Sequence, residues 1–527
     1  MASPQELQSL FAHAMQAEKN GQTQQAIATY QTLLAQQPAI LGIYPRLLPL
    51  MGLSVHSSEQ TNWQLFDTHL LPAMKWAAEH GVTEQVLELE MLAYSTIAKQ
   101  TETEANYYRL FKAMEPHLEL AGAKLKAAMP ALPERTPNLE HPRIGFFFHN
   151  ASLLAHTEVI LSTLKGLPHI QNGFTPVIYV QVTNSNAISQ AFAKAFSDLG
   201  IEIYFIPDHI PPANRNLTAT FIALRHLMFQ QQVDALVWVS LPCYLAFASA
   251  AGITPCLIWW SMRFPLQCFN HLDGRIGGGG LFEDTRVVDG QLWRSIFLAY
   301  DNLTDLSLRP QADAIRSQYA GKLILGSIAR SEKYMDEAFI GSLAAILKRN
   351  PDCVFLWTGR DAYPPFVNAL QAHGIAQQCH FIGWVDPKLY ALVFDLYLDS
   401  FPSGSGLTAM NAMAAAVPVV STRNYLSNLG CLAYPAYHRL EGTAEEQGAV
   451  RNIFTDPQSG RQTLQCAESA EEYVDMAQQL IEDPHYRHIT GKSQQKFVEA
   501  YLSSQPKLAA RIAHHLRSIL RETYGSS

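Results

Sequence analysis

The sequence predicts an α/β protein in which two Rossmann-like, doubly wound lobes follow an all-α N-terminal domain. Three observations predict this fold class. Helical patterns alone fill residues 1–136. From residue 140 onward, short apolar runs alternate with helical stretches, as in parallel sheets that are buried on both faces. Late in the chain, a loop of glycine and serine joins an apolar run to a small-residue helix. Such a loop brings backbone N–H groups and the positive end of a helix to one point.

The composition is that of an ordinary globular protein of two or three domains. Of the 527 residues, 48% are hydrophobic, and the net charge of −8 gives nucleic-acid binding no electrostatic support. The seven cysteines include no C-x-x-C pair, which is typical of a reducing compartment. The N-terminus lacks the pattern of a signal peptide, and the longest apolar stretch, residues 236–260, is interrupted by Pro242 and Pro255. We therefore expect a cytoplasmic protein without membrane insertion.

Within the helical domain, residues 11–38 resemble one tetratricopeptide repeat. Gly21 would separate two helices, small residues around Tyr30 would let them pack closely, and Pro38 would end the pair. Residues 63–98 and 104–128 also have helical patterns. Because one repeat cannot form a solenoid, two interpretations stay open. The domain is either a helical cap on an enzyme or a surface that binds a protein partner.

Prolines at 130, 133 and 137 mark a linker to the first lobe, which we expect at residues 140–310. Its helix is expected at 158–165, and a flexible turn is expected at Gly277–Gly280. The apolar runs predict strands at 144–148, 175–181, 201–206, 235–240 and 256–260.

The second lobe is expected at residues 311–490, with a helix at 336–348. It is followed by a C-terminal helical tail at 491–527, and the helical pattern from 470 onward is interrupted at Pro484 and Pro506. The predicted strands are 323–328, 354–358, 380–383, 396–399 and 417–421. Because doubly wound sheets bind ligands at the carboxyl ends of their strands, we expect the ligand in the cleft between the lobes.

The loop after the fourth of these strands is the best candidate for a phosphate site. It comprises Gly404, Ser405, Gly406, Leu407 and Thr408, and Thr408 adds a hydroxyl group in the first turn of the helix. The same residues match the dinucleotide fingerprint G-x-G-x-x-A. However, that fingerprint belongs to the first strand–helix turn and is followed by an acidic residue, whereas the next strand here ends in Ser-Thr-Arg.

Polar loops also follow the other strands of this lobe. Arg330 and Lys333 come after its first strand, and Lys333 has the charge to neutralise a diphosphate; the alternative is a solvated lysine that pairs with a neighbouring glutamate. Gly359 and Arg360 follow the second strand. Trp384 follows the third, either as the wall of a nucleobase pocket or as a packing residue.

Two histidines follow the first strand of the first lobe. His149 and His156 are candidates for a general base, because an unperturbed imidazole titrates near neutral pH. The alternative is a histidine that bonds to a loop carbonyl. Their spacing is unlike that of zinc ligands, and the chain contains no Asp-x-Asp motif. We therefore expect no metal cofactor; Lys333, Thr408 and the helix N-terminus would stabilise the phosphates in its place.

Together these residues resemble those of GT-B glycosyltransferases, and more narrowly glycosyltransferase family 41, the O-GlcNAc transferases and bacterial cytoplasmic N-glycosyltransferases of adhesins. The resemblance covers residues 140–500. It is carried by the His156 loop, the apolar segments 236–242 and 253–259, Lys333 and the loop P-S-G-S-G-L-T-A-M-N. It implies inverting transfer of a sugar from a UDP-sugar to a protein side chain without a metal.

The resemblance also implies roles for individual residues. Lys333 would bind the diphosphate and stabilise the departing UDP, while the loop from Gly404 to Thr408 would bind phosphate. Arg360 and Trp384 would lie around the uridine. His156 would be the active-site histidine, near donor and acceptor.

One position departs from the family pattern. The family has an aspartate that binds the ribose hydroxyls where this chain has Asn411. An amide lacks the charge, so we expect weaker ribose binding, on the order of tenfold. The departure is also compatible with a different nucleotide and with a non-catalytic scaffold of this fold. A further alternative is a retaining GT-B enzyme that builds a glycan or glycolipid, although such enzymes also have an acidic residue where Asn411 stands.

Overall fold

A computed structural model describes residues 3–38, 40–55, 57–98, 104–133, 136–262, 269, 271–296, 303–402, 404–423 and 432–525. The expected helical domain, two α/β lobes and helical tail are all present. One residue of the predicted phosphate loop region, Ser403, lies outside the described residues.

The N-terminal domain is entirely helical in the described residues. The first two helices are joined by a turn at Gly21, whose φ of 71° favours glycine. With the third helix they share a small core around Ala14, Tyr30 and Leu33, whereas the later helices share one core with the first lobe. The α-helices are α1 (Pro4–Lys19), α2 (Thr23–Gln36), α3 (Tyr44–Leu50), α4 (Glu59–Leu65), α5 (Leu71–His80), α6 (Thr83–Ala93) and α7 (Glu104–Ala128).

The first lobe is built on an eight-stranded sheet of order β3-β2-β1-β4-β5-β6-β8-β7, in which only β7 is antiparallel to its neighbour. The predicted strands are confirmed to within two residues. The strands are β1 (Arg143–Phe148), β2 (Thr175–Val180), β3 (Glu202–Phe205), β4 (Ala235–Val239), β5 (Leu257–Ser261), β6 (Gly274–Gly278), β7 (Thr285–Val288) and β8 (Gln291–Ile296). The helices are α8 (Ala155–Gly166), α9 (Ala187–Ser197), α10 (Leu217–Gln230) and α11 (Leu245–Ala250).

The prediction of a flexible turn at Gly277–Gly280 is wrong in its first half, because Gly277 and Gly278 belong to β6. The glycines are explained by packing. A Cβ on Gly277 would lie 2.8 Å from the Trp293 ring, and one on Gly274 would lie 2.5 Å from Ile519. A larger residue therefore does not fit at either position, although glycine is a poor strand former.

The second lobe contains a six-stranded parallel sheet of order β11-β10-β9-β12-β13-β14. Its strands are β9 (Leu323–Ser327), β10 (Cys353–Trp357), β11 (Cys379–Phe381), β12 (Leu396–Leu398), β13 (Val419–Thr422) and β14 (Cys466–Ala467). Its helices are α12 (Arg309–Arg316), α13 (Glu337–Arg349), α14 (Pro364–Ala372), α15 (Pro387–Ala391), α16 (Leu407–Ala414), α17 (Tyr434–Tyr437), α18 (Ala444–Ile453) and α19 (Ala470–Glu482).

The C-terminal tail connects the two lobes. It consists of α20 (Pro484–Phe497) and α21 (Gln505–Tyr524), with breaks at the predicted prolines. Gln494 of α20 exchanges two hydrogen bonds with the Val419 backbone in the second lobe. Helix α21 returns to the first lobe, where His515 Nε2 lies 3.0 Å from the carbonyl oxygen of Ser295.

The lobes also contact each other directly. The Glu441 carboxylate of the second lobe accepts hydrogen bonds from the backbone N–H groups of Phe282 and Glu283 in the first lobe. Among the described residues, no helix has both the length and the apolar character that crossing a bilayer requires.

Candidate functional site

The loops at the carboxyl ends of β9, β10, β11 and β12 are joined to one another by hydrogen bonds. Lys333 Nζ, in the loop after β9, donates to the Gly404 carbonyl in the loop after β12 at 2.8 Å. Thr358 Oγ1 exchanges hydrogen bonds with the Ala329 backbone, which joins the loops after β10 and β9. Gly359 N–H donates to the Gly383 carbonyl at 3.3 Å. The predicted convergence of these loops at one edge of the sheet is therefore present in the structure.

A buried tyrosine holds the glycine–serine loop against the loop after β9. The Tyr397 hydroxyl lies 2.6 Å from Ser405 Oγ and 3.0 Å from Thr408 Oγ1, and it accepts from the Ile328 N–H at 3.0 Å. Thr408 Oγ1 in turn donates to the Ile328 carbonyl at 2.8 Å. These bonds fix the first turn of α16 relative to β9, so the loop conformation is set before any ligand binds.

The buried carboxylate of Asp399 also fixes the glycine–serine loop. Its Oδ1 accepts from the Ser405 N–H at 2.7 Å and from Ser405 Oγ at 2.5 Å. Burial raises the pKa of the Asp399 carboxyl to about 6, although the Ser405 hydrogen bonds and the Lys333 charge act in the opposite direction. In the sequence, Asp399 is only the last residue of the predicted strand 396–399, and this supporting role was not predicted.

The N-terminus of α16 has the properties of an anion site. Its N-cap residue is Gly406, and no side chain caps the helix. The free N–H groups of a first helical turn carry partial positive charge, and glycine permits close approach of a phosphate. Lys333 adds a cation beside Gly404, within the loop that leads into this helix.

The remaining predicted binding residues lie in the loops after β9, β10 and β11. Gly359 is buried, and a Cβ there would lie 1.8 Å from Ser331 Oγ, so only glycine fits. Arg360 is exposed, and Arg330 is half-buried. The Trp384 side chain is 68% exposed, which a core packing residue would not be. The ring is therefore accessible to solvent, and its role at a nucleobase stays a prediction.

Asn411 is turned toward the connection between the lobes. The side chain is only 3% exposed, and its Nδ2 donates to the Leu303 carbonyl at 2.7 Å. In this position the amide ties α16 to the segment that enters the second lobe. The role of Asn411 at a ribose stays a prediction.

The two histidines of the first lobe are placed differently. His156 lies in the first turn of α8 with its ring stacked on Phe148 at 6.3 Å, and burial lowers its pKa to about 4. His149 Nε2 lies 3.1 Å from the Cys243 carbonyl, so for this residue the structure shows the histidine bonded to a loop carbonyl. Burial lowers the pKa of His149 to about 4 as well, so both rings are neutral at pH 7.

The described residues contain no group of three or more histidine, cysteine, aspartate or glutamate side chains arranged to hold a metal ion. The sequence interpretation missed Tyr397, Thr358 and Asp399, whose hydrogen bonds hold the loops of the site together. Only the position of each beside the carboxyl end of a strand pointed toward it.

Comparison with known proteins identifies the class of enzyme. Residues 322–429, which contain the Lys333 loop and the glycine–serine loop, match the family model described as Glycosyl transferases group 1. This match lies within the second lobe. The prediction that the chain is a glycosyltransferase is thereby confirmed. No curated protein sequence matches the chain.

Solved structures give the fold of the whole chain. A mutant O-GlcNAc transferase from Thermobaculum terrenum is 14% identical and superimposes with a TM-score of 0.55 over 100% of both chains. Anabaena Alr3699/HepE, solved in complex with UDP and glucose, is 14% identical, with a TM-score of 0.48 over 72% of this chain and 100% of the other. The first of these similarities confirms the expected GT-B architecture.

Proposed function

We propose that the chain is a metal-independent, inverting glycosyltransferase that moves a sugar from a UDP-sugar to a protein side chain in the cytoplasm. The observation that carries the proposal is the position of Lys333 Nζ, 2.8 Å from the Gly404 carbonyl, in the loop that leads to the uncapped N-terminus of α16. A lysine charge and a helix dipole that meet at one loop suit a diphosphate. The choice of UDP rests on the resemblance to family 41.

In the proposed reaction, the acceptor atom forms a bond to C1 of the sugar while the bond from C1 to the diphosphate oxygen breaks. The electron pair and the negative charge leave with UDP. Lys333 and the first N–H groups of α16 stabilise that charge, which is the task that a metal ion performs in other enzymes. Arg330 contributes further positive charge, and Trp384, Arg360 and Gly359 surround the base. His156, neutral at pH 7, faces the acceptor and receives its proton.

The protein acceptor and any protein partner are assigned to the N-terminal domain. Helices α1 and α2 pack on a small core of their own; α3 contributes Leu47 to this core and Leu48 to the core that the later helices share with the first lobe. A helical unit attached in this way presents surface that the lobes do not cover. It therefore suits the binding of a polypeptide beside the cleft.

The test is release of UDP from UDP-glucose and UDP-N-acetylglucosamine in the presence of EDTA, followed by intact-mass analysis of peptides that contain Ser, Thr and Asn. Lys333→Ala should lower turnover by about 100-fold or more, as loss of a group that stabilises developing charge does. Lys348→Ala, at an exposed position on the same lobe, is the matched control. Wild-type turnover in Lys333→Ala would contradict the proposal.

A further inference from the structure

In the first lobe, the peptide group between Cys243 and Tyr244 makes one hydrogen bond through its carbonyl and one through its N–H. Its carbonyl belongs to Cys243 and lies 3.1 Å from His149 Nε2. Its N–H belongs to Tyr244 and donates to Glu90 Oε2 at 2.9 Å. Glu90 is part of α6 in the helical domain, so this single peptide group links that domain to the end of β1.

The carbonyl determines the tautomer of His149. A carbonyl oxygen only accepts hydrogen bonds, so Nε2 must carry the proton and donate it. The neutral ring then has its lone pair on Nδ1. That atom is buried and has no hydrogen-bond partner among the described residues, and the same holds for Asn150 Oδ1 of the next residue. Two such acceptors without donors are uncommon in a folded protein and need an explanation.

The remaining described surroundings of His149 supply no donor. Its ring packs against Phe147, Trp238 and Tyr244, with ring centroids 5.1, 5.5 and 5.8 Å away. The titratable groups around it and around the linking peptide are His156, Tyr244, Cys243, Glu90 and Glu84. The residue as a whole is half-buried and directly follows β1, at the carboxyl edge of the sheet, where doubly wound sheets bind their ligands.

Glu90 of α6 accepts the hydrogen bond from the Tyr244 N–H and so fixes the peptide group that bonds to His149. It is fully buried, its Oε1 has no partner in the described part of the chain, and burial raises its pKa to about 8. Tyr244 has a φ of 64°, a left-handed conformation that is costly for a tyrosine, so the surrounding structure must maintain it. The hydrogen bond from the Tyr244 N–H to Glu90 is one of the contacts that do so.

We propose that His149 is a second acceptor-side residue, whose Nδ1 accepts a hydrogen bond from one N–H of an amide acceptor, or from one O–H of water as acceptor, while the second hydrogen is left for His156, and that Glu90 is a positioning residue that orients His149 through the Cys243–Tyr244 peptide. This inference rests on the proposed function and extends it. The helical domain then takes part in catalysis, because its residue Glu90 orients the His149 ring that accepts a hydrogen bond from the acceptor. His156 keeps its separate role in the first turn of α8.

The first measurement is ¹⁵N NMR of protein labelled at histidine, with the His149 signals assigned by their loss in His149→Phe. The Nε2–H tautomer is expected, with Nδ1 unprotonated at neutral pH. Glu90→Leu should broaden or shift these signals, whereas Glu90→Gln, which can still accept from the Tyr244 N–H, should restore them. An Nδ1–H tautomer in the wild-type chain would overturn the proposal. This result does not depend on the identity of the donor.

The second measurement is UDP release from UDP-glucose and UDP-N-acetylglucosamine, with water as the acceptor. His149→Phe keeps the aromatic packing and should lower kcat about tenfold while KM for the donor and the thermal shift with UDP stay unchanged. Glu90→Leu should also lower kcat, and Glu90→Gln should restore kcat to the wild-type value. The control is Glu84→Gln, because Glu84 also joins the helical domain to the first lobe, through Leu217 and Thr218, without touching His149.

The outcomes separate the two proposals. Unchanged kcat in His149→Phe, including the case in which an internal water satisfies Nδ1, would overturn the role of His149. An equal loss in Glu84→Gln would show that Glu90 acts only through domain docking and would overturn its positioning role. Absence of any UDP shift in the wild-type chain would instead contradict the proposed donor.

Discussion

Lys333 Nζ donates to the carbonyl oxygen of Gly404 at 2.8 Å, although the two residues lie 71 positions apart in the sequence. The bond joins the loop after β9 to the loop after β12, and it holds the lysine charge beside the N-terminus of α16. A diphosphate at this point would meet a cation and a helix dipole that are already in place. Preorganised charge of this kind needs no rearrangement when the leaving group departs.

Tyr397→Phe should destabilise the second lobe and weaken nucleotide binding together. The hydroxyl group bonds to Ser405, Thr408 and the Ile328 backbone, and its removal leaves a buried N–H without a partner. The expected cost is about 1–3 kcal/mol of the free energy of unfolding. Urea denaturation and calorimetric titration with UDP measure the two effects. Tyr390→Phe, whose hydroxyl is outside this network, is the control, and equal behaviour of the two variants would count against a network centred on Tyr397.

Gly359→Ala should be destabilising even though alanine is otherwise tolerated well. Its Cβ would lie 1.8 Å from Ser331 Oγ and 2.9 Å from the Asp361 carbonyl, so the loops after β9 and β10 would have to separate. We expect a loss of about 1–3 kcal/mol and a lower affinity for UDP. Gly341→Ala is the control, and it should change stability in the opposite direction.

No described atom lies within 4 Å of a Cβ built on Gly341. Because this glycine is inside α13, alanine should stabilise the chain by about 0.5–1 kcal/mol. Thermal denaturation of both glycine variants under the same conditions measures the difference. A neutral Gly359→Ala would show that the close contact at Gly359 does not control the loop. A destabilised Gly341→Ala would show that the space around a glycine in this structure does not decide the effect of alanine.

Asn411→Asp should destabilise the chain rather than tighten ribose binding. Asn411 Nδ2 donates to the Leu303 carbonyl at 2.7 Å, and an ionised aspartate would place an acceptor against that oxygen in a buried site. The expected loss is about 3 kcal/mol at neutral pH, with recovery at lower pH as the new carboxyl becomes protonated and donates. Denaturation at two pH values checks this. Tighter UDP binding with unchanged stability would instead place residue 411 at the ribose.

Asp399→Asn should alter the pH dependence of stability. The pKa of Asp399 is raised to about 6, so the folded chain binds more protons than the unfolded chain between pH 4 and 6. The contribution of this carboxyl to stability therefore falls as pH rises through that window, and the penalty is complete above pH 6. The variant should gain up to about 3 kcal/mol relative to wild type over the same range.

The control for this experiment is Asp352→Asn, because that aspartate is 87% exposed and pairs with Lys322 at the surface. If the two asparagine variants gave the same pH profile, the Asp399 carboxyl would not be the group that titrates in this window.

The sequence was sufficient to predict β1–β5 and β9–β13, because buried parallel strands are continuous apolar runs with a glycine or polar residue at each end. It did not predict β7, β8 or β14. It was insufficient for β6, whose glycines look like a turn. The reason for those glycines is the Trp293 ring and Ile519 of α21, and contacts between segments that are distant in sequence leave no local pattern.

The candidate site also contains residues that the sequence could predict and residues that it could not. Lys333, the glycine–serine loop and Trp384 were predictable because they follow apolar strands directly, and the carboxyl ends of parallel strands meet at one edge. The functions of Tyr397 and Asn411 were not predictable. Tyr397 reads as a core residue of β12, and the partner of Asn411 is Leu303, which lies 108 residues earlier in the chain.

The decisive question is whether the cleft binds a uridine diphosphate without a metal. A thermal-shift panel with UDP, GDP and ADP in EDTA, repeated with magnesium and with Lys333→Ala, answers it. At 100 times its dissociation constant, a ligand stabilises the folded chain by about 2.7 kcal/mol. We expect a shift with UDP alone, unchanged by magnesium and lost in Lys333→Ala. No shift with UDP, or one that requires magnesium, would contradict the proposed function.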